Sequence, residues 1–223
     1  MKSFADYYAL ASLHKGGERI LKALLPKALS DEALIAKSDD EFLSNMSRRV
    51  FRAGLKHSMV DKKWPQFETL FHGFDPYFCA MLSEDDIDTL MQDSRIIRHR
   101  GKLKSIQHNA QFVREKAQEY GSFGHYLSAW GVSDTVDLWW QLKKQGKQLG
   151  GNSGPAFLRM VGKDTFLLTR DVVAVLINEN VIDRSPTSKK DMYAAQEAFI
   201  YWHQQSGRSL CEISRVISCT ATS

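Results

Sequence analysis

Cysteine is scarce in this sequence: Cys79, Cys211 and Cys219 are the only three in 223 residues. They are odd in number and far apart, and none sits in a C-x-x-C pair or a Cys/His group of zinc-ligand spacing. That pattern excludes a disulfide framework and a zinc finger, and the thiols are expected to be buried or incidental. Five prolines and fourteen glycines are too few for a sheet-rich chain that turns about every ten residues. Long apolar runs are missing too: stretches such as Val172 to Ile177 fall far short of a membrane span. The opening residues, Met1 to Tyr8, lack the apolar core of a secretory signal, so a cytoplasmic location and no membrane partner are expected. Nor is either sign of charge in large excess. Thirty Lys and Arg against 26 Asp and Glu leave +4, which permits a polyanionic partner without requiring one.

What is present is ordinary for a globular protein. With 43% hydrophobic and 25% charged residues the chain is not disordered. A chain of this length buries about 70% of its unfolded surface, enough for a core without metal or disulfide staples. Ala, Leu, Lys, Glu and Gln are plentiful throughout, which favours an all-α fold.

Apolar positions three and four apart predict helices over Phe4 to Leu13 and Glu18 to Leu25, parted by Gly16-Gly17 and closed by Pro26. Ser30, Ser38 and Ser83, each followed by acids, read as helix starts. Trp64-Pro65 is expected to open another helix. Further helices are expected over Asp134 to Gln145, Ala156 to Val161, Lys189 to Gln205 and Leu210 to Ile217, with another from the apolar run Phe166 to Ile177. No internal repeat or low-complexity linker interrupts them, so residues 1–223 are expected to form a single all-α domain.

Two features carry chemistry. Leu149-Gly150-Gly151-Asn152-Ser153-Gly154-Pro155 is the only Gly-dense loop, and it lies between two helices. Backbone N–H groups at such a turn can hold a phosphate without a cationic side chain. The spacing matches neither a P-loop nor a dinucleotide fingerprint. With Lys143, Lys144, Lys147 and Lys163 nearby it would grip a nucleic-acid backbone without reading its sequence; the bland alternative is a plain interhelical turn. The second feature is the basic run Arg95 to Lys104, which follows an acidic helix start at Glu84 to Asp88. Its bland alternative is a solvated helix face.

Ile96-Ile97-Arg98-His99-Arg100-Gly101-Lys102-Leu103 with Asn109-Ala110 behind it resembles the signature segment of the 3-methyladenine DNA glycosylase I family, within the helix-hairpin-helix glycosylase superfamily. Ala53-Gly54-Leu55 and Phe71-His72-Gly73-Phe74-Asp75-Pro76 lie upstream in the family's order, and Leu142-Lys143-Lys144-x-Gly146 with the Gly loop resembles its hairpin. The resemblance spans Phe42 to Leu176. It implies a two-lobed helical bundle with a helix-hairpin-helix motif at about 136–162. It implies a DNA glycosylase of base-excision repair that acts as a monomer, without a cofactor, on double-stranded DNA containing a damaged base. The bond hydrolysed is the N-glycosidic bond of an alkylated base flipped from the stack. Gly54 and Leu55 would be the wedge that fills the gap. Arg98, Arg100 and Lys102, with Gly150, Gly151, Asn152, Ser153 and Gly154, would hold the DNA backbone.

The departures from the family pattern matter as much. Its pocket Glu is replaced by Arg49 and its stacking Trp by His57, so these two residues would line the base pocket. Its structural zinc positions after the hairpin fall at Asp171 and Val175 and its N-terminal Cys is missing, so no metal is expected. The superfamily's catalytic Asp position is Thr169, and the nearest acid, Asp171, is the candidate catalytic group, with a helix cap as the alternative reading. A guanidinium about 4 Å from a cationic base at an effective dielectric near 20 repels it by roughly 4 kcal/mol. Either Arg49 points away, or the base is not cationic, or the protein is a non-catalytic helix-hairpin-helix module that binds damaged or abasic DNA. A helical protein-interaction module is the remaining alternative.

Overall fold

The computed structural model describes residues 1–221, and among these the secondary structure is helical, without strands. The helices in chain order begin with α1 Phe4–His14, α2 Glu18–Ala23, α3 Asp31–Ile35, α4 Asp39–Arg52 and α5 His57–Leu70. They continue as α6 Pro76–Ala80, α7 Glu84–Gln92, α8 Arg100–Tyr120, α9 Phe123–Ser128 and α10 Thr135–Gln145. The last four are α11 Ser153–Val161, α12 Arg170–Asn178, α13 Lys189–Ser206 and α14 Leu210–Ser218.

The starts are set by local chemistry. Ser83 Oγ accepts the Asp86 N–H at 3.1 Å while the Asp86 carboxylate accepts the Ser83 N–H at 2.8 Å, a reciprocal capping box. Ser3 with Asp6 does the same for α1, and the Glu41 carboxylate accepts the Ser38 N–H at 3.2 Å at the start of α4. One start differs from expectation. Trp64-Pro65 lies inside α5, which begins at His57. Pro65 is exposed, so the helix carbonyl deprived of its N–H partner faces water rather than the core.

The chain forms two compact units. One comprises Met1–Leu29, Trp130–Leu138 and the chain from Gly162 onward. Its core contains Tyr7, Phe166, Phe199 and Trp202, with Phe166 and Phe199 stacked at 4.3 Å. Asp164 accepts the Leu210 and Cys211 N–H groups at 2.9 and 2.8 Å, filling the orphan donors at the start of α14.

The other unit comprises Ser30–Ala129 and Trp139–Val161. A column of stacked rings runs through it: Trp64 lies 4.8 Å from Phe67 and 5.3 Å from Phe74, and Phe71 continues the stack at 5.3 Å from Phe74. Phe51 of α4 meets Phe67 edge-on at 4.7 Å. The Trp64 Nε1–H donates to Ser44 Oγ at 3.0 Å, and the Ser44 hydroxyl donates to Glu68 at 2.6 Å. Rings and polar thread together lock α4 to α5 and thereby fix the turn between them. All three thiols are buried, and burial, with the Asp75 charge, pushes Cys79 up to about 12, which makes it inert.

Candidate nucleic-acid interface

The turn that leaves α4 is built around Gly54. Ala53 is extended, and Gly54 has φ +77°, a left-handed conformation that an L side chain adopts only with strain. A Cβ on Gly54 would meet nothing within 4 Å, so the backbone conformation and not space calls for glycine. Gly54 is exposed, Leu55 half-buried, and His57 is exposed at the start of α5.

Beneath this turn lies Lys102, only 7% exposed. Its ammonium donates to the Ala53 carbonyl at 2.6 Å and the Phe51 carbonyl at 3.2 Å, and lies 5.9 Å from the Phe51 ring centre. It caps the negative end of α4. Burial and the neighbouring Arg49 charge hold its pKa below the ordinary lysine value. Lys102 was expected to contact a DNA phosphate; here two of its three donors go to carbonyls of the protein itself and its side chain is buried beneath the turn.

Arg48, Arg49 and Arg52 ring the same helix end. Asp61 of α5 takes two of them: Arg52 donates to it at 2.7 Å through Nη2 and Arg48 at 2.9 Å through Nε. Burial pushes the Asp61 carboxyl up, but the bonds from Arg52 and Arg48 outweigh it and hold it below the usual carboxylate range. Arg49 is different. It is half-buried and makes no hydrogen bond or ion pair among the described residues, and its Nε is closed off from solvent without an acceptor. Burial and the Arg52 charge lower its pKa.

The basic run is mostly spoken for. Arg95 grips Asp93 at 2.6 Å, which holds that carboxyl down at about 2. Arg100 pairs with Glu84 at 2.6 Å and with Asp88, while Lys104 also pairs with Glu84 at 2.5 Å. His99 caps α8, its Nδ1 accepting the Lys102 N–H at 3.3 Å. Among the described residues that leaves Arg98 as the exposed cation of the run without a partner. Exposed pairs such as Arg100–Glu84 are worth about 0–1 kcal/mol, so a phosphate can take the acid's place.

The hairpin between α10 and α11 is stitched to α8. The Asn109 side chain pairs with the Lys147 backbone in both directions: Oδ1 accepts the Lys147 N–H at 2.7 Å, and Nδ2 donates to its carbonyl at 3.2 Å. Gln148 Nε2 donates to the Gly101 carbonyl at 2.8 Å, and His108 Nε2 lies 2.9 Å from the Gln145 carbonyl. The loop therefore sits beside the start of α8, where Arg98 and Arg100 are. Gly154 N–H closes the turn onto the Leu149 carbonyl at 3.0 Å, and the Ser153 N–H returns to Gly150 at 3.1 Å. Gly151 and Asn152 are exposed at the tip, Gly150 and Ser153 are half-buried, and Gly154 is buried. Lys143, Lys144 and Lys147 are exposed beside the loop, whereas Lys163 belongs to the other unit and donates to the Trp130 carbonyl at 2.7 Å.

Asp171 belongs to the unit that lacks the hairpin. It is exposed in the first turn of α12, and the cap there is Thr169, whose hydroxyl accepts the Val172 N–H at 3.4 Å. Val175 is buried and carries no ligating atom, so the zinc positions of the family pattern do not fit the metal. Among the described residues no three His, Cys, Asp or Glu groups converge as metal ligands do.

Three structural roles escaped sequence reasoning. Lys63 donates to the Ser94, Arg95 and Ile96 carbonyls at 2.8, 3.2 and 3.3 Å and so holds the loop before α8. Asp61 gathers two arginines, and Gln148 spans 47 positions to Gly101. No local pattern announces such long-range partners.

Known proteins resemble part of this chain. Residues 34–149, which hold the turn, the basic run and the start of the Gly loop, match the Methyladenine glycosylase family. DNA-3-methyladenine glycosylase 1 of Escherichia coli (strain K12) is 45% identical over 76 residues, 34% of this chain and 41% of that protein. DNA-3-methyladenine glycosylase of Haemophilus influenzae is 45% identical over 60 residues, 27% of this chain and 32% of that protein. The matches thus span less than half the length of these curated relatives. A crystal structure of a point variant of 3-methyladenine DNA glycosylase I in complex with 3-methyladenine superposes with a TM-score of 0.52 at 26% identity, covering 56% of this chain and 78% of that one. A point variant of the Staphylococcus aureus enzyme gives 0.51 at 28% identity, covering 56% and 78%. With more than half of its residues inside the family match, and the turn, basic run and hairpin loop gathered in one compact unit, the chain belongs to the methyladenine glycosylase family.

Proposed function

We propose that the protein is a DNA glycosylase of base-excision repair, acting as a monomer on duplex DNA that contains a damaged base of the alkylated class. The observation that carries this reading is the attachment of the Gly150–Gly154 loop to the start of α8, with Arg98 exposed and unpaired beside it. The loop and Arg98 hold the phosphates, and Leu55, presented by the left-handed Gly54 turn, enters the stack where the base has left. Extruding the base costs a few kcal/mol, which the apolar wedge offsets. Hydrolysis breaks the C1′–N bond, its electron pair leaves with the base, and water supplies the oxygen that C1′ gains. Asp171 is the candidate for orienting that water or stabilising the oxocarbenium-like sugar.

The test is release of free base from duplex DNA treated with a methylating agent, alongside binding of the same duplex across a salt series. Release together with binding that weakens steeply as salt rises is the expected result. Binding without release of any base overturns the enzyme and leaves a module that binds damaged DNA. Salt-independent or absent binding overturns both. Asp171→Asn that excises at the wild-type rate removes Asp171 from the mechanism.

A further inference from the structure

Between α7 and α8 the chain runs from Asp93 to His99 without a helix. There Ser94, Arg95 and Ile96 turn three successive carbonyls toward one ammonium, Lys63 Nζ, at 2.8, 3.2 and 3.3 Å. An ammonium carries three donors, so donors and acceptors match in number. Among the described residues no backbone N–H reaches any of these three carbonyls. Lys63 is therefore what replaces a backbone ladder in this segment. Its own base is firm: it sits on α5, and the next residue, Trp64, is stacked on Phe67 and bonded to Ser44. On the far side of the clamp Ile96 is buried, 2% exposed, and Arg98 stands exposed two residues further on. The helix that carries the clamp starts at His57, two residues after Leu55, and Lys63 lies six residues, roughly 9 Å, along it.

We propose that Lys63 is a positioning residue for DNA binding, which holds the Ser94, Arg95 and Ile96 carbonyls so that Arg98 meets a backbone phosphate at a set distance from Leu55. This rests on the glycosylase reading and deepens it, because one helix then fixes the spacing between the wedge and a phosphate contact. The three donors of Lys63 are spent within the protein, so its effect on DNA runs through Arg98. Without the clamp the segment is free in the unbound protein, and the cost of ordering it falls on DNA binding.

The test is a double-mutant cycle on DNA affinity with Arg98→Met, Lys63→Met and the double variant. The probe is a duplex with one tetrahydrofuran abasic-site analogue, which offers no glycosidic bond to cleave, read by fluorescence anisotropy across a salt series. Each single variant is expected to bind about three- to tenfold more weakly and to lower the slope of log affinity against log salt by about 0.9, the share of one phosphate contact. The double variant should bind no more than about twofold more weakly than the weaker single one, because both changes remove the same contact. A loss of folded protein lowers the active fraction and leaves that slope unchanged, so the slope separates positioning from mere stability. Lys63→Gln, which keeps an amide donor, serves in the same cycle if circular dichroism shows that Lys63→Met does not fold. Wild-type affinity and slope in either single variant, or losses that multiply in the double variant as for independent contacts, overturn the proposal. Base release from methylated duplex decides the other reading separately. Release with a multiplicative cycle keeps the glycosylase and overturns the role of Lys63, whereas a shared loss without release of any base keeps Lys63 as the positioner and overturns the catalysis.

Discussion

Replacing Lys102 by methionine tests whether a buried ammonium holds the wedge turn. Methionine preserves the stem's volume, so the change isolates the charged head. Two acceptors lose their donor. The Phe51 carbonyl belongs to a buried residue and stays unpaired, at about 1–3 kcal/mol, while Ala53 is half-buried and its carbonyl can be reached by water. The negative end of α4 also loses its counter-charge, worth up to about 2 kcal/mol in a partly buried setting. Against these stand the recovered desolvation of the ammonium and the relief of its repulsion with Arg49. The balance comes to about 2 kcal/mol of destabilisation, a fall in Tm of roughly 4–8 °C for a chain of this size. Thermal melts by circular dichroism read it, with Lys104→Met as the control: Lys104 is exposed and paired only with Glu84, so its melt should move less, by no more than about 2–4 °C. The pH dependence adds a signature. Because the folded-state pKa of Lys102 lies below 10.5, the folded protein sheds this proton at lower pH than the unfolded chain. Wild-type stability therefore gains from this group as pH rises through the window just below 10.5, and Lys102→Met lacks that gain. A Lys102→Met variant that melts at or above the wild-type temperature would refute the reading of the ammonium as a helix cap.

Two further perturbations address the hairpin and the arginine cluster. A Cβ at Gly154 would lie 2.8 Å from the Leu149 carbonyl oxygen, so Gly154→Ala must open the loop, at about 1–3 kcal/mol and with weaker DNA binding. Gly151→Ala meets no atom within 4 Å and carries only the strain of φ +56°, about 1 kcal/mol; equal losses of DNA affinity in the two variants would count against close approach as the reason for Gly154. Asp61→Asn removes a carboxyl whose folded pKa lies below 3.8, so its contribution is complete above that pH and disappears as pH falls through the folded value. Melts from neutral pH downward should show the wild type and Asp61→Asn converging below about pH 3.8, and a gap that stays constant into acid would contradict the assigned pairing.

Much of the fold was readable in the sequence because helix starts are local events. Ser38 and Ser83 each precede an acid by three residues, and the bonds that define a cap reach no further than that. Trp64-Pro65 misled for the same reason: proline favours a first turn, yet α5 already begins at His57, and the exposed side of that helix tolerates the missing donor. The family segment was readable as well, since it is a contiguous run from Ile96 to Leu103 with the hairpin and the Gly54 turn at fixed distances along the chain.

Where the charges act was not readable. Arg95 to Lys104 looks uniformly basic in one dimension, but Glu84 and Asp88, one helix earlier, fold back onto Arg100 and Lys104, and Lys102 turns inward to the end of α4. The sequence by itself determined the helical class, the caps, the Gly turn and the membership of a glycosylase family, because each depends on residues a few positions apart or on one continuous motif. Only the tertiary structure decided which cations remain available, leaving Arg98 exposed and Arg49 half-buried with its Nε closed off from solvent, because ion pairing and desolvation depend on which surfaces meet and not on which residues are neighbours in the chain.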